Sequence, residues 1–400
     1  MTRMPTWRRN QRVMVATVFV VFTGFAFVLP FLPLYVRELG VNRDDEAALW
    51  AGVLIGVSPL LAGLLSPFWG RVADRHGRKR MLLRALGVYV LLLLLCAVVS
   101  DVYQLLALRI GIGLFGAIGP LGLSMATAQA PREETGRAVG LVQAAQILSA
   151  AVGPLAGGLL ADAIGIRRTF VATALLCAVA FVLVAAVYEE APGAARTEAP
   201  GGRFADVLRI PHVGFLLVIL FLVNFIGRSF TPILPLHLLV LGVPQGRVAS
   251  ATGILIAVYS LAAAFSATAL GRASRTWSPR GLLAAALLGG AATVLPMAVV
   301  PSFAGFLGLA ALLGLASGGC LTLCYTIGGL LVPEGQRATC FGFLSGAALF
   351  GGAISPSAAG LLARLDLRAI YSVDAVLFLA LAAWVACRAP LAVADRAGLR

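Results

Sequence analysis

Nineteen consecutive residues, AGVLIGVSPLLAGLLSPFW at 51–69, carry no charge. As a helix rising 1.5 Å per residue, such a run matches the hydrocarbon core of a bilayer. Lipid offers no hydrogen bonds, so a spanning segment must satisfy its own backbone polar groups or join a closed barrel. Barrel strands read as alternating segments of about ten residues, and this chain shows long continuous apolar runs instead. Similar runs recur along all 400 residues, of which 60% are hydrophobic and 12% charged. That composition excludes a soluble two-domain protein, which needs polar residues to cover its surfaces. The chain reads as an all-α polytopic membrane protein with twelve spans, at 13–36, 48–69, 81–100, 103–128, 137–162, 168–188, 213–241, 248–271, 281–300, 303–332, 338–363 and 369–387. The first follows a basic tail but outruns the apolar core of a signal peptide and lacks a small-residue cleavage site.

Basic residues orient the spans. With the amino terminus inside, the inner tails and loops hold 22 of the 31 Lys and Arg, the outer loops hold 7, and Arg109 and Arg228 fall within spans. The positive-inside rule then places both termini in the cytoplasm. The same distribution accounts for the net charge of +14. The charge is dispersed over membrane-flanking loops, so no soluble basic face exists for nucleic acid.

The chain repeats itself. LPFLPLYVRELGV at 29–41 and TPILPLHLLVLGV at 231–243 share seven of thirteen residues at an offset of 202. GPLAGGLLAD at 153–162 and SPSAAGLLAR at 355–364 lie at the same offset. The long polar, Pro- and Gly-rich stretch between them, 189–212, reads as a cytoplasmic linker joining two six-helix halves, 1–188 and 213–400. Parallel halves with a site between them are a common plan for secondary transporters.

GRVADRHGRKR at 70–80 is the most concentrated charge in the chain. Gly70 and Gly77 suit a close approach and a tight turn between spans 2 and 3. The basic residues fix the loop inside, and topology accounts for at least half of the reason for Arg78, Lys79 and Arg80, but Asp74 weakens that signal. An acid there can pair with neighbouring arginines or with a helix N-terminus. On span 5, Gly153, Pro154, Gly157 and Gly158 strip side chains from one face, and small residues let helix backbones meet. A charge inside the bilayer costs about 2.5–3.5 kcal/mol on insertion scales, so Arg109 and Arg228 should face a partner or a cavity. Further polar candidates for a cavity are Gln143, Gln146, Tyr35, Asn224, His237 and Tyr325. No carboxylate lies in mid-span; Asp162 sits at an outer helix end and Asp374 about two turns into span 12. The cysteines lie in or at the ends of spans, and the same-face pair Cys320 and Cys324 has no His or acid beside it, so no metal site is expected.

These motifs together resemble the major facilitator superfamily over essentially the full length, most closely the twelve-span drug/proton antiporters of bacteria. GRVADRHGRKR resembles the family's loop between spans 2 and 3, LLALRIGIG at 105–113 its span-4 motif around Arg109, and SAAVGPLAGG at 149–158 its span-5 motif of exporters. The resemblance implies that Gly70, Asp74, Arg75, Gly77 and Arg78 form a lock against span 11, where Arg337 is the candidate partner. It also implies a seam between spans 5 and 8, and drive by the proton gradient without a cofactor. Asp74, Asp374, His237 or a substrate's own charge are then candidates for coupling. Independently of the resemblance, the cost of its charge makes Arg228 a candidate for contact with substrate, with helix carbonyls or Asn224 as the alternative partners. No GxxxxGK[ST] sequence is present to suggest direct drive by ATP.

The expected function is export of amphipathic small molecules across the bacterial cytoplasmic membrane by a monomer. A dedicated exporter of one metabolite, such as a siderophore or sugar-like solute, is the alternative within transport. A membrane-embedded enzyme would need an intramembrane nucleophile–base or metal cluster, and three histidines offer little to build one. Because the fixed charge expected within the spans is positive, anionic or zwitterionic substrates fit better than permanent cations.

Overall fold

The computed structural model describes residues 6–116, 118, 121, 122, 125, 135–190, 213–274, 276–331 and 337–387. The helices are α1 (Thr6–Val28), α2 (Leu32–Glu38), α3 (Asp44–His76), α4 (Arg78–Cys96), α5 (Val102–Phe115), α6 (Thr135–Ile164) and α7 (Ile166–Val187). They continue as α8 (Val213–Ser229), α9 (Leu234–Val240), α10 (Val248–Ala273), α11 (Pro279–Met297), α12 (Phe303–Leu331), α13 (Arg337–Leu362) and α14 (Ala369–Cys387). Among the described residues there is no strand.

Nine of these segments, α1 with α2 counted as one, are long and apolar enough to cross a membrane, and α8 with α9, bent by 42°, makes a tenth. α4 and α5 stand where two further spans are expected. α4 opens on the charged run RKRMLLR, and α5 is a 14-residue helix ending just before Gly116. Most of the linker at 189–212 lies outside the described residues.

Proline breaks the first span of each half at matching points. Pro30 and Pro33 separate α1 from α2, and Pro232 and Pro235 separate α8 from α9, because proline lacks the N–H that continues a helix. Both short helices then end in the same turn. Gly40 (φ +97°) and Gly242 (φ +81°) take the left-handed conformation that closes a helix C-terminus. Val41 N–H donates to the Val36 carbonyl at 3.3 Å, and Val243 N–H to the Leu238 carbonyl at 3.0 Å. The repeated LGV therefore encodes a helix stop.

Helix pairing repeats as well. α1 packs on α6 and α7, and α4 on α5 and α7; in the second copy α8 packs on α13, and α11 on α12 and α14. Leu175, Val179 and Val182 form an exposed stripe along α7, each near 60% exposed. In water such a stripe would be a liability, whereas on a spanning helix it meets lipid.

Two compact units are present. One gathers 1–41, 57–198 and 244–254; the other gathers 42–56, 199–243 and 255–400. They differ from the predicted halves in two short segments, the start of α3 and the start of α10. The reason is close backbone packing at those segments.

Candidate functional site

The start of α10 packs on α6 through backbone. A Cβ at Gly158 would lie 2.3 Å from the Ala249 carbonyl oxygen, and a Cβ at Gly253 would lie 2.2 Å from that of Pro154. Only glycine permits these approaches. The Asp162 carboxylate caps the start of α10, accepting from Ala249 N–H at 3.3 Å and Ser250 N–H at 2.7 Å. In the other unit α3 packs on α13 in the same way: Cβ atoms at Gly52, Gly56 and Gly360 would lie 2.1, 2.4 and 2.6 Å from the carbonyl oxygens of Pro356, Ala353 and Ala48. Ser357 Oγ donates to the Gly52 carbonyl at 3.2 Å.

The expected span-5 seam is thereby divided. Pro154 and Gly158 meet α10, but Gly153 and Gly157 meet α1, with Cβ positions 2.4 Å from Ala26 Cβ and Phe27 Cα. Successive helical residues are turned by about 100°, so the four residues spread over about 140° of the helix, wide enough to meet two neighbours. Gly52 and Gly253 escaped the motif reading. Their signal was the matching pair GVLI at 52–55 and GILI at 253–256.

In the 70–80 connection, Gly77 turns the chain at φ +95°. Arg78 and Lys79 N–H donate to Glu190 Oε1 at 2.7 and 3.4 Å, so a carboxylate from the end of α7 caps α4. Lys79 Nζ donates to the carbonyls of Ala185 (3.0 Å) and Tyr188 (2.6 Å), which are free at that helix end. Nothing described lies within 4 Å of a Cβ at Gly70, so the close approach expected there falls to Gly77 alone. Arg75 is exposed. The side chains of Asp74 and Arg337 lie outside the described residues.

The polar candidates within the helices separate by environment. Arg109 is buried, with Tyr89 and Cys96 in electrostatic reach and its carbonyl accepting from Ser58 Oγ at 2.6 Å. Arg228 is exposed in the last turn of α8, at the bend into α9 and in electrostatic reach of Tyr259. Asn224 donates to its own helix at the Leu220 carbonyl (2.9 Å). Tyr35 is fully buried and donates to the Cys96 carbonyl at 2.7 Å, so its hydroxyl does not face a cavity. Gln143 is exposed and Gln146 half-buried on α6; the Tyr325 and Ser345 hydroxyls are 3.2 Å apart. Cys320 Sγ donates to the Ala316 carbonyl, and no cluster of three His, Cys, Asp or Glu occurs among the described residues.

Asp374 departs most from the sequence reading, which gave weight to depth. It is five residues into α14, about 8 Å along the axis, yet it is fully buried. Its Oδ2 contacts Ser229 Oγ, and His237 Nδ1 lies 2.7 Å from the Tyr371 hydroxyl. Ser229 and Tyr371 were not singled out from sequence.

The Major Facilitator Superfamily model matches residues 14–251 and 248–398. Multidrug resistance protein MdtG of Escherichia fergusonii is 33% identical over 399 residues, covering 96% of this chain and 95% of the relative. MdtG of Dickeya zeae is 34% identical over 327 residues, covering 80% of this chain and 79% of the relative. Among solved structures, a bacterial homologue of the human lysosomal transporter Spinster superposes with a TM-score of 0.74 at 18% identity, covering 98% of this chain and 96% of that one. The human organic anion transporter MFSD10 gives 0.67 at 17%, covering 96% and 100%.

Proposed function

Because the chain belongs to the major facilitator superfamily, we propose that it is a secondary active exporter of amphipathic drugs and similar small molecules, driven by proton influx. It is a multi-pass membrane transporter, not an enzyme. The observation that carries the export reading is likeness over 96% of the chain to proteins named for multidrug resistance.

Two six-helix halves, 1–188 and 213–400, alternate access as a monomer with both termini in the cytoplasm. That topology sets the α6–α10 and α3–α13 seams toward the outer ends of their helices. Alternating access requires contacts that close tightly and separate again. Glycine against carbonyl supports this, since backbones meet with little side-chain interdigitation to undo. Asp74, with the basic residues from Arg75 to Arg78, locks the cytoplasmic side against Arg337 and the start of α13. Arg228, exposed beside a helix break, contacts substrate and favours anionic or zwitterionic compounds.

Inverted membrane vesicles test the function directly. Norfloxacin, carboxyfluorescein and ethidium are offered with and without an imposed pH gradient. Accumulation that collapses with the gradient is expected, strongest for the first two compounds. Accumulation of none of them, with the protein present at normal abundance, overturns the multidrug reading.

A further inference from the structure

Two pairs of ionisable or hydroxyl side chains, Ser229 with Asp374 and His237 with Tyr371, lie inside the helix packing of one unit. Ser229 ends α8, His237 lies in α9, and Tyr371 and Asp374 are one turn apart on α14; none is more than 2% exposed. Asp374 Oδ1 and His237 Nε2 are buried without a hydrogen-bond partner. Among the described residues no cation forms an ion pair with Asp374. A buried carboxylate in a spanning helix with one hydroxyl partner is poorly compensated as an anion, whereas the neutral acid fits the site.

The hydroxyl geometry points the same way. Ser229 Oγ sits 2.8 Å from the Ile226 carbonyl oxygen and is also in close contact with Asp374 Oδ2. One hydroxyl hydrogen would have to be shared between both acceptors. A proton on Asp374 gives each contact its own hydrogen: the acid donates to Ser229 Oγ, and Ser229 donates to Ile226.

The internal repeat supplies a control. IRRTFVAT at 166–173 aligns with LRAIYSVD at 367–374, so Phe170 matches Tyr371 and Thr173 matches Asp374; Tyr35 matches His237. The ring pairs superpose in kind: Tyr35 and Phe170 have centroids 5.2 Å apart at 50°, His237 and Tyr371 5.3 Å apart at 55°. In the first half Thr173 Oγ1 rests at 3.1 and 3.0 Å from the Gly24 and Thr169 carbonyls, so that a hydroxyl between two carbonyls fills the place of the acid. The same architecture thus closes without an acid or an imidazole in one half and carries both in the other. Packing alone does not require the ionisable pair.

We propose that Asp374, held by Ser229 and flanked by the His237–Tyr371 pair, is the proton-binding site that couples this transporter to the proton gradient. The assignment rests on the proton-driven reading above. A proton from water on one side of the membrane binds the carboxylate to give the neutral acid, and returns to water on the other side; no other bond changes. His237 and Tyr371 border the site on α9 and α14. Arg368 and Asp366, in the connection before α14, lie in electrostatic reach of His237, and Arg368 also of Tyr371. α8 brings Arg228 next in sequence to Ser229, and α11 carries only Arg280, bonded to the far end of α14 at the Val385 and Ala386 carbonyls. The connection before α14 is therefore the charged approach to the site.

Infrared difference spectra of the full-length protein in liposomes, from about pH 5 to pH 9, read the proton itself. The carbonyl stretch of a protonated carboxyl should be present in wild type, lost in Asp374→Asn, and shifted in Ser229→Ala, where the acid loses its partner. Identical spectra for wild type and Asp374→Asn overturn the proposal. So does an unshifted band in Ser229→Ala, should the Asn variant fail to fold. Norfloxacin transport supplies the second readout. Asp374→Asn should abolish accumulation driven by the pH gradient while keeping exchange of labelled for unlabelled norfloxacin at equal concentrations. Gradient-driven accumulation in that variant at the wild-type level also overturns it. If wild type shows the Asp374 band but no gradient-driven accumulation of any probe, proton-driven export fails while proton binding at Asp374 stands.

Discussion

Adding a single methyl group at Gly253 should change the conformational balance of the transporter. Its Cβ would lie 2.2 Å from the Pro154 carbonyl oxygen, whereas ordinary contact begins at 3.4 Å, so α6 and α10 must separate by about 1 Å there. Overpacking of this kind costs about 1–3 kcal/mol. Alanine also gains about 1 kcal/mol of helix propensity over glycine, but it does so whether or not α10 touches α6. That gain raises overall stability and cancels from the balance between the two arrangements. The closed arrangement alone bears the clash, so its population relative to the separated one should fall about 5- to 150-fold. Gly158→Ala, facing the Ala249 carbonyl at 2.3 Å, should act alike. The double variant should fall short of the sum, because a seam already parted has room for the second methyl. The reporter is Ala249→Cys, buried at 2% exposure, in a cysteine-free background labelled with a membrane-impermeant maleimide. Labelling should accelerate in both single variants. An unchanged rate in both, with normal folding, would refute the idea that this glycine contact limits opening.

Three further outcomes are expected. Glu190→Gln keeps the acceptor but removes the charge that caps α4 through Arg78 and Lys79, and should lower the melting temperature through a loss of about 0.3–1 kcal/mol without altering substrate preference; an unchanged melting curve would show that an amide oxygen caps this helix equally well. Asp74→Asn should greatly reduce transport at normal abundance, and wild-type flux in vesicles would leave the 70–80 loop a topology signal only. Arg228→Gln should narrow the difference between carboxyfluorescein and ethidium by weakening transport of the anion; a loss confined to ethidium would show that the guanidinium does not attract anions.

The sequence alone determined the solvent and the helical character of the chain. Uncharged runs as long as 51–69 leave helices in lipid as the only way to satisfy the backbone. Local chemistry is written in local residues, so the paired proline breaks and the LGV stops appear at an offset of 202 in both copies. Partner choice is not local. Gly157 and Gly158 are neighbours in one motif, yet one meets Phe27 on α1 and the other Ala249 on α10, because helical rotation sends them to different faces. Asp374 shows the same limit in electrostatic terms. Its distance from the helix end suggested an acid of modest depth, but burial depends on what surrounds a side chain. Only the folding of α8 and α9 against α14 removes it from solvent, bringing Ser229 to Asp374 and His237 to Tyr371, each across more than 130 residues of chain.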